Sequence, residues 1–404
     1  MTNCRICGGN VREFFDFGRQ PVSDAFIDPS GGQTEFFYQL AVGYCTGCAM
    51  VQQLKEVSRD RMFPADYPYR SSGSAVMREH FAATADRFLA TELAGDDPFY
   101  VEIGCNDGIL LGAISRAGVR HLGVDPAEGA VEVARAHGCR VRDGFFEEAT
   151  GVGIRAAEGP AQLIFSANTI SHIGYIDSIF AGADALLAPG GVFVFEDRYV
   201  GDIIENTYFD QVYDEHFYLF GVRSVRNMAR RFGFDLVDVE HLPVHGGAMR
   251  YTTARAGERV PTDAVGDWLA VEEKGLTELS VYEEFGARVE TNSRALVDLL
   301  TSLRAEGRSV VGYGATSKSA TVTNYCGIGP ELIPFICDST PEKQGRLTPG
   351  SRIPILPPEA FSDPYPDYAV LFAWNHAEEI MAKEQAFREA DGRWILYVPD
   401  VHIV

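Results

Sequence analysis

Positive charge is scarce in this sequence: 35 lysines and arginines stand against 57 acids in 404 residues, a formal net charge of −22. Such a balance repels nucleic acid and anionic lipid surfaces, so no polyanion partner is expected, although a small anionic substrate needs only a few local cations. Long apolar runs are absent too, and no segment approaches the ~20 residues of a membrane span. The opening Met1-Thr-Asn-Cys-Arg5 has no basic stretch followed by an apolar one, so no secretory leader is read. A cytoplasmic protein without membrane contact is expected. There is no short-period repeat and no low-complexity segment.

Eight cysteines are present, but a long chain of this kind does not read as a disulfide framework. Four of them form two CxxC pairs, Cys4-Arg-Ile-Cys7 and Cys45-Thr-Gly-Cys48. Each such turn brings two sulfurs to one side, and two turns complete the tetrahedron of a four-thiolate zinc site. With every position filled by thiolate, the zinc is structural. The competing reading, a redox dithiol, needs a thioredoxin-like strand and helix that the flanking sequence lacks. The other four, Cys105, Cys139, Cys326 and Cys337, read as small buried apolar side chains.

The first 65 residues are short, loop-rich and aromatic, with too little core to stand without a cross-link. From Phe99 onward, strand-like runs alternate with helical ones: Phe99–Ile103, His121–Val124, Leu163–Ala167 and Gly191–Glu196 are the strands, with helices between and the last helix ending at Pro189-Gly-Gly191. That order gives a parallel α/β sheet, closed by Phe234–His241 and Ala248–Arg255. Residues 262–304 carry apolar side chains at helical spacing and form one or two connecting helices. A second α/β unit opens at Arg308, with strands at Leu332–Cys337, Tyr368–Ala373 and Trp394–Val398.

In Glu102-x-Gly104-x-Asn106-x-Gly108, a glycine-rich turn follows a strand and precedes a helix, and glycine there lets the backbone turn sharply and approach a ligand closely. Asp125 ends the next strand, where a carboxylate can hold ribose hydroxyls. The pattern departs from GxGxxG, the signature of a pyrophosphate-bearing dinucleotide, so the cofactor expected over Gly104, Asn106 and Gly108 is S-adenosylmethionine rather than NAD. Asn168 and His172 follow the fourth strand-like run on the same carboxyl edge; for His172, core packing and cofactor contact both stay open. Tyr213, Glu215 and His216 are titratable side chains set among Phe209, Phe217 and Phe220, and histidine, with its pKa nearest working pH, is the natural general base. Gly312-Tyr-Gly-Ala-Thr-Ser-Lys318 is either a phosphate-binding turn at a helix N-terminus or a plain strand-to-helix turn.

The chain as a whole resembles the 3-C-methyltransferases of TDP-linked 4-keto-deoxysugars that serve antibiotic biosynthesis. The likeness runs through both CxxC pairs, Tyr67-Pro-Tyr-Arg-Ser-Ser-Gly73, Val101-Glu-Ile-Gly-Cys-Asn-Asp-Gly108, Phe209-Asp-Gln-Val-Tyr-Asp-Glu-His-Phe217, Leu242-Pro-Val-His-Gly-Gly247, Val311–Ala320 and Trp374-Asn-His376. It implies a zinc-binding domain over 1–65, a Rossmann-like methyltransferase domain over 66–255, and a Rossmann-like domain over 256–404 that contributes to binding the nucleotide-sugar, in a monomer. Tyr69 and Ser72 would join the cofactor site. His216 would remove the C3 proton beside the C4 ketone, with Tyr213 and Glu215 orienting it or the substrate, and the resulting enolate would take the methyl group. His245, Lys318, Lys343, Arg346, Asn375 and His376 would hold the substrate, the cations meeting its diphosphate. One departure stands out: in Asp143-Gly-Phe145 the acid falls one residue early for an adenine contact. Two other classes stay in view, an NAD-dependent sugar-nucleotide oxidoreductase on the same sheet and a zinc-ribbon interaction protein binding no small cofactor; the cofactor that co-purifies separates them.

Overall fold

The computed structural model describes residues 2–32, 34–63 and 71–404, and their strands gather into three sheets. The middle sheet holds, in spatial order, Phe234–Leu242, Ala248–Arg255, Leu187–Arg198, Ala161–Ala167, Phe99–Ile103, Arg120–Asp125 and Val141–Asp143. The last five run parallel, and the first two close the edge antiparallel. Phe99–Ile103, apolar but for Glu102, is buried along its whole length, as expected of a strand covered by helices on both faces. The chain builds outward from this strand first to one side, through Arg120–Asp125, and then to the other, through Ala161–Ala167. The crevice at that reversal, beyond the carboxyl ends of the strands, is where open α/β sheets bind ligands.

The C-terminal sheet repeats the device. Its order is Ile355–Leu356, Ile336–Cys337, Val310–Tyr313, Tyr368–Leu371, Arg393–Leu396 and His402–Ile403, parallel except for the final pair. Its reversal lies between Val310–Tyr313 and Tyr368–Leu371, so the turn after Tyr313 and the segment at Trp374 sit side by side.

Two expectations need correction. The first lobe is not loop-rich: Asn10–Pro21 and Phe37–Cys45 pair as long antiparallel strands. Their aromatic side chains are used outward, with Phe15 and Phe17 meeting Tyr325 edge-on and Phe15 lying against Gly286 of the helix Leu279–Ala305. The lobe thus finds its core against the C-terminal domain instead of building one alone. Likewise Pro189-Gly-Gly191 does not stand outside the sheet. The strand begins at Leu187, runs through it, and absorbs it in a register shift opposite Ala161–Leu163.

Residues 262–304 form two helices, Asp263–Gly275 and Leu279–Ala305. The first stays with the middle sheet, where the Glu272 carboxylate accepts the backbone N–H groups of Val222 and Arg223 at the start of the helix Val222–Arg231. An acid there satisfies donors that the helix cannot. The short strand Tyr218–Leu219 leaves the middle sheet and pairs with Val51–Gln53 of the first lobe. Among the described residues, no helix is long and apolar enough to cross a membrane.

Candidate functional site

Cys4, Cys7, Cys45 and Cys48 converge with their four ligand atoms all within 4.8 Å of one another; Cys4 and Cys48 sulfurs are 3.6 Å apart and those of Cys7 and Cys45 3.4 Å. A tetrahedron with metal–sulfur bonds of about 2.3 Å has edges of about 3.8 Å, so the spacing suits one zinc ion. The backbone N–H groups of Ile6 and Gly9 point at the Cys4 and Cys7 sulfurs, the hydrogen bonds that steady thiolates in such turns. Without a cation, ionising one thiol of such a group makes ionising its neighbours harder. Cys4 is drawn down to about 5 by the hydrogen bond from Cys48, while burial pushes Cys45 up to about 11. Zinc supplies the missing positive charge.

The carboxyl edges of the middle and C-terminal sheets face a single cavity of about 830 Å³. On the middle-sheet side, Gly104 has φ +70° and leaves no room for a side chain, since a Cβ would fall 2.3 Å from the Thr169 hydroxyl. Asn106 follows at φ +48°. The Asp125 carboxylate accepts the N–H of Asn106 through one oxygen and that of Ala127 through the other, both at 2.8 Å. These bonds fix the carboxylate at the strand end, on the cavity wall where a ribose would lie. Phe145 and Phe146 add an apolar wall. A closed glycine turn, a strand-end acid and an apolar slot fit an adenosyl cofactor. Glu102, also on the wall, is pushed up to about 8 by burial.

The sequence-predicted residues divide clearly. Gly104, Asn106, Asp125, Asn168, His172, Tyr213, Glu215, His245, Lys318, Lys343, Asn375 and His376 all line the cavity. Gly108 does not; at φ +77° it caps the helix Ile109–Arg116. Ser72 does not either, and its hydroxyl donates to Asp107 at 2.6 Å. Arg346 lies off the wall, in the turn where its N–H donates to the Lys343 carbonyl. Asp143 pairs with Arg135 at the surface, leaving Gly144 and Phe145 at the cavity. Tyr69 lies outside the described residues.

His216 stands one layer behind the wall. It is buried, and its ring lies against those of Tyr213 and His172, with centroids at 4.0 and 5.3 Å. Nδ1 is 2.5 Å from the Gln211 carbonyl oxygen, a geometry in which that nitrogen donates and Nε2 carries a lone pair. Nε2 has no partner among the described residues. Burial and the nearby Arg198 push its pKa well down, so the ring is neutral and able to accept a proton. Burial pushes the Tyr213 phenol well above its usual range, which keeps it a hydrogen-bond donor.

Two residues of the wall escaped the sequence reading. Arg198 ends the strand Leu187–Arg198 and reaches Gln211 at 3.0 Å and Asn168 at 3.3 Å. Its place on the carboxyl edge, the argument used for Asn168, would have found it. Asp24 accepts from Ser317 at 2.9 Å; both come from segments whose meeting no local pattern announces. Lys318, expected at the site from the sequence, is half-buried; its desolvation holds it down to about 8, with Asp210 pulling the other way.

An acid one strand away from a glycine turn at the sheet's reversal is the cofactor arrangement of S-adenosylmethionine-dependent methyltransferases, and a methyltransferase domain model matches residues 77–239. A zinc binding domain model matches residues 4–63, and a C-methyltransferase C-terminal domain model matches residues 243–399. The C-methyltransferase NovU of Streptomyces niveus is 34% identical over 412 aligned residues, covering 100% of this chain and 97% of that protein. The chain belongs to this C-methyltransferase family. The ubiquinone biosynthesis O-methyltransferase of Methylobacterium sp. (strain 4-46) is 32% identical over 97 residues, 23% of this chain and 38% of that protein. Among solved structures, a SAM-dependent methyltransferase from Anabaena variabilis ATCC 29413 is 16% identical over 43% of this chain and 84% of that chain. At a TM-score of 0.35 that likeness bears no weight. The protein is therefore an S-adenosylmethionine-dependent C-methyltransferase with a structural zinc site.

Proposed function

We propose that this C-methyltransferase acts at C3 of a TDP-linked 4-keto-deoxysugar, a reaction of antibiotic deoxysugar biosynthesis. The observation that carries the reading is the single cavity, in which the adenosyl-cofactor turn of one sheet faces Lys318 and Lys343 of the other. An acidic chain that places two lysines there has a local means of holding a diphosphate. Lys343 donates to the Ala315 carbonyl at 2.8 Å, which braces it beside the turn that follows Tyr313. Asn375, His376 and His245 would meet the sugar-nucleotide from the same wall.

A carbon beside a ketone becomes a nucleophile only when its proton is removed, and bound S-adenosylmethionine supplies an electrophilic methyl on its sulfonium sulfur. His216 takes the C3 proton on Nε2, the nitrogen without a partner among the described residues. As a base held weak by its surroundings it needs help at the other end of the enol system. Tyr213, kept protonated, donates to the C4 oxygen as charge builds there; Glu215, on the cavity wall, would orient the substrate. Because His216 stands behind Tyr213 and His172, substrate must enter between those two rings or displace one of them.

The test is incubation with a panel of TDP-4-keto-sugars and the methyl donor, reading product mass and the methylated carbon. Methylation at C3 of at least one member is expected. A product methylated at oxygen, or no TDP-sugar accepted while another keto substrate is, would overturn the reading.

A further inference from the structure

The first lobe is joined to the candidate catalytic segment by more than its metal. Immediately after Cys48 the chain enters the strand Val51–Gln53, which pairs antiparallel with Tyr218–Leu219. At the strand's end the buried Gln53 turns its side-chain amide onto the segment Tyr213–His216. Nε2 is 2.5 Å from the Tyr213 carbonyl oxygen and 2.9 Å from that of His216, with the Asp214 carbonyl at 3.4 Å. Its backbone N–H donates to the Phe217 carbonyl at 2.9 Å. From the same lobe, the Ser23 N–H donates to the Asp214 carboxylate at 2.9 Å. The other flank of the segment is tied to the C-terminal domain. Asp210 accepts from Trp374 and Tyr397, each at 2.6 Å, and the Val212 carbonyl accepts from Thr321 at 2.9 Å.

We infer that Gln53 is a positioning residue for the reaction, its amide fixing the backbone that carries Tyr213, Glu215 and His216, so that the zinc lobe sets the geometry of proton transfer. The inference rests on the reading of that segment as catalytic. The physics is that of two donors on one rigid group. An amide NH₂ has two hydrogens, and here they span both ends of a four-residue turn that has no sheet partner among the described residues. A misplacement of about 1 Å in a catalytic group can cost about 10²-fold in rate, whereas ligands held elsewhere on the cavity wall are indifferent to it. Gln53 touches neither cavity nor sulfur, so its loss separates positioning from binding and from metal retention.

The test uses the full-length chain with Gln53→Met, which keeps length and loses both donors, and Gln53→Asn, which keeps the donors one methylene short. Zinc content, cofactor affinity, kcat and KM for each substrate, and amide hydrogen exchange of the peptide spanning residues 213–217 are compared with wild type and with His216→Asn. The expected result is unchanged zinc and cofactor affinity within about twofold, faster exchange in that peptide, and kcat lowered by about 10- to 100-fold, more in Met than in Asn, with KM values nearly constant. Unchanged exchange or unchanged kcat in Gln53→Met, with His216→Asn inactive, would overturn the inference. Loss of zinc or of cofactor binding in both variants would do so too, by making Gln53 a folding residue. Faster exchange with full activity in Gln53→Met and in His216→Asn would instead remove the catalytic reading of the segment, and the inference with it.

Discussion

The imidazoles of His172 and His216 lie face to face, 5.3 Å apart with planes inclined by 25°, and only that of His172 reaches the cavity. Each has an Nε2 with no partner among the described residues. Burial takes His172 down to about 3 and pushes His216 well below its ordinary value. Two rings so placed cannot both hold a proton, because a charge on either is opposed by burial and by Arg198. His172→Ala should therefore open the face of His216 rather than abolish proton abstraction. Activity is expected to fall by about tenfold or less, well short of the ~10²–10⁴ typical of losing a general base. Steady-state kinetics on both single variants checks the order.

Lys318 gives a pH prediction with a definite sign. Held at about 8, it carries charge below that pH and loses it above. The kcat/KM for the sugar-nucleotide, which reports the free enzyme, should fall as pH rises through about 8. Lys318→Ala should raise KM for that substrate by about tenfold or more and remove this limb of the profile. KM for the methyl donor should stay nearly constant in the variant.

Asp125 closes the cofactor turn through two backbone N–H groups and faces the cavity. Its replacement by alanine removes charge-assisted hydrogen bonds and should weaken S-adenosylmethionine binding by about one to two orders of magnitude. Isothermal calorimetry with the free cofactor reads this directly, and unchanged affinity would take Asp125 out of the site.

Much of this was legible because local sequence dictates it. The strands Phe99–Ile103 and Ala248–Arg255 fall where the apolar pattern puts them. The CxxC spacing forces its sulfurs together, and a glycine turn after a buried strand can open only at the sheet's carboxyl edge. What stayed hidden depends on contacts between distant segments. Phe14, Phe15 and Phe17 look like excess aromatics in a loop until the helix Leu279–Ala305 and Tyr325 cover them. Gln53 sits in a stretch with no pattern at all, since its partners are carbonyls 160 residues and more away. Arg346 and Ser72 were drawn into the site by neighbouring motif residues, and tertiary packing turned them elsewhere.

Zinc should behave as a fold element. One ion per chain is expected by elemental analysis of protein purified without chelator, and Cys48→Ala should lose it together with several degrees of Tm, since structural zinc contributes folding energy. Cofactor affinity of the variant that remains folded should be close to wild type. A full complement of zinc in the variant would mean that the metal is held elsewhere.

The central claim, that His216 removes the C3 proton, is tested most directly by hydrogen exchange without methyl transfer. Enzyme in D₂O, with S-adenosylhomocysteine filling the cofactor site, is given the accepted TDP-4-keto-sugar, and deuterium at C3 is followed by NMR. Wild-type protein should exchange this position, and His216→Asn should exchange it about 10²–10⁴-fold more slowly with affinities for both ligands largely kept. Exchange at the wild-type rate in His216→Asn would contradict the account. Loss confined to Tyr213→Phe would hand the proton to the phenol.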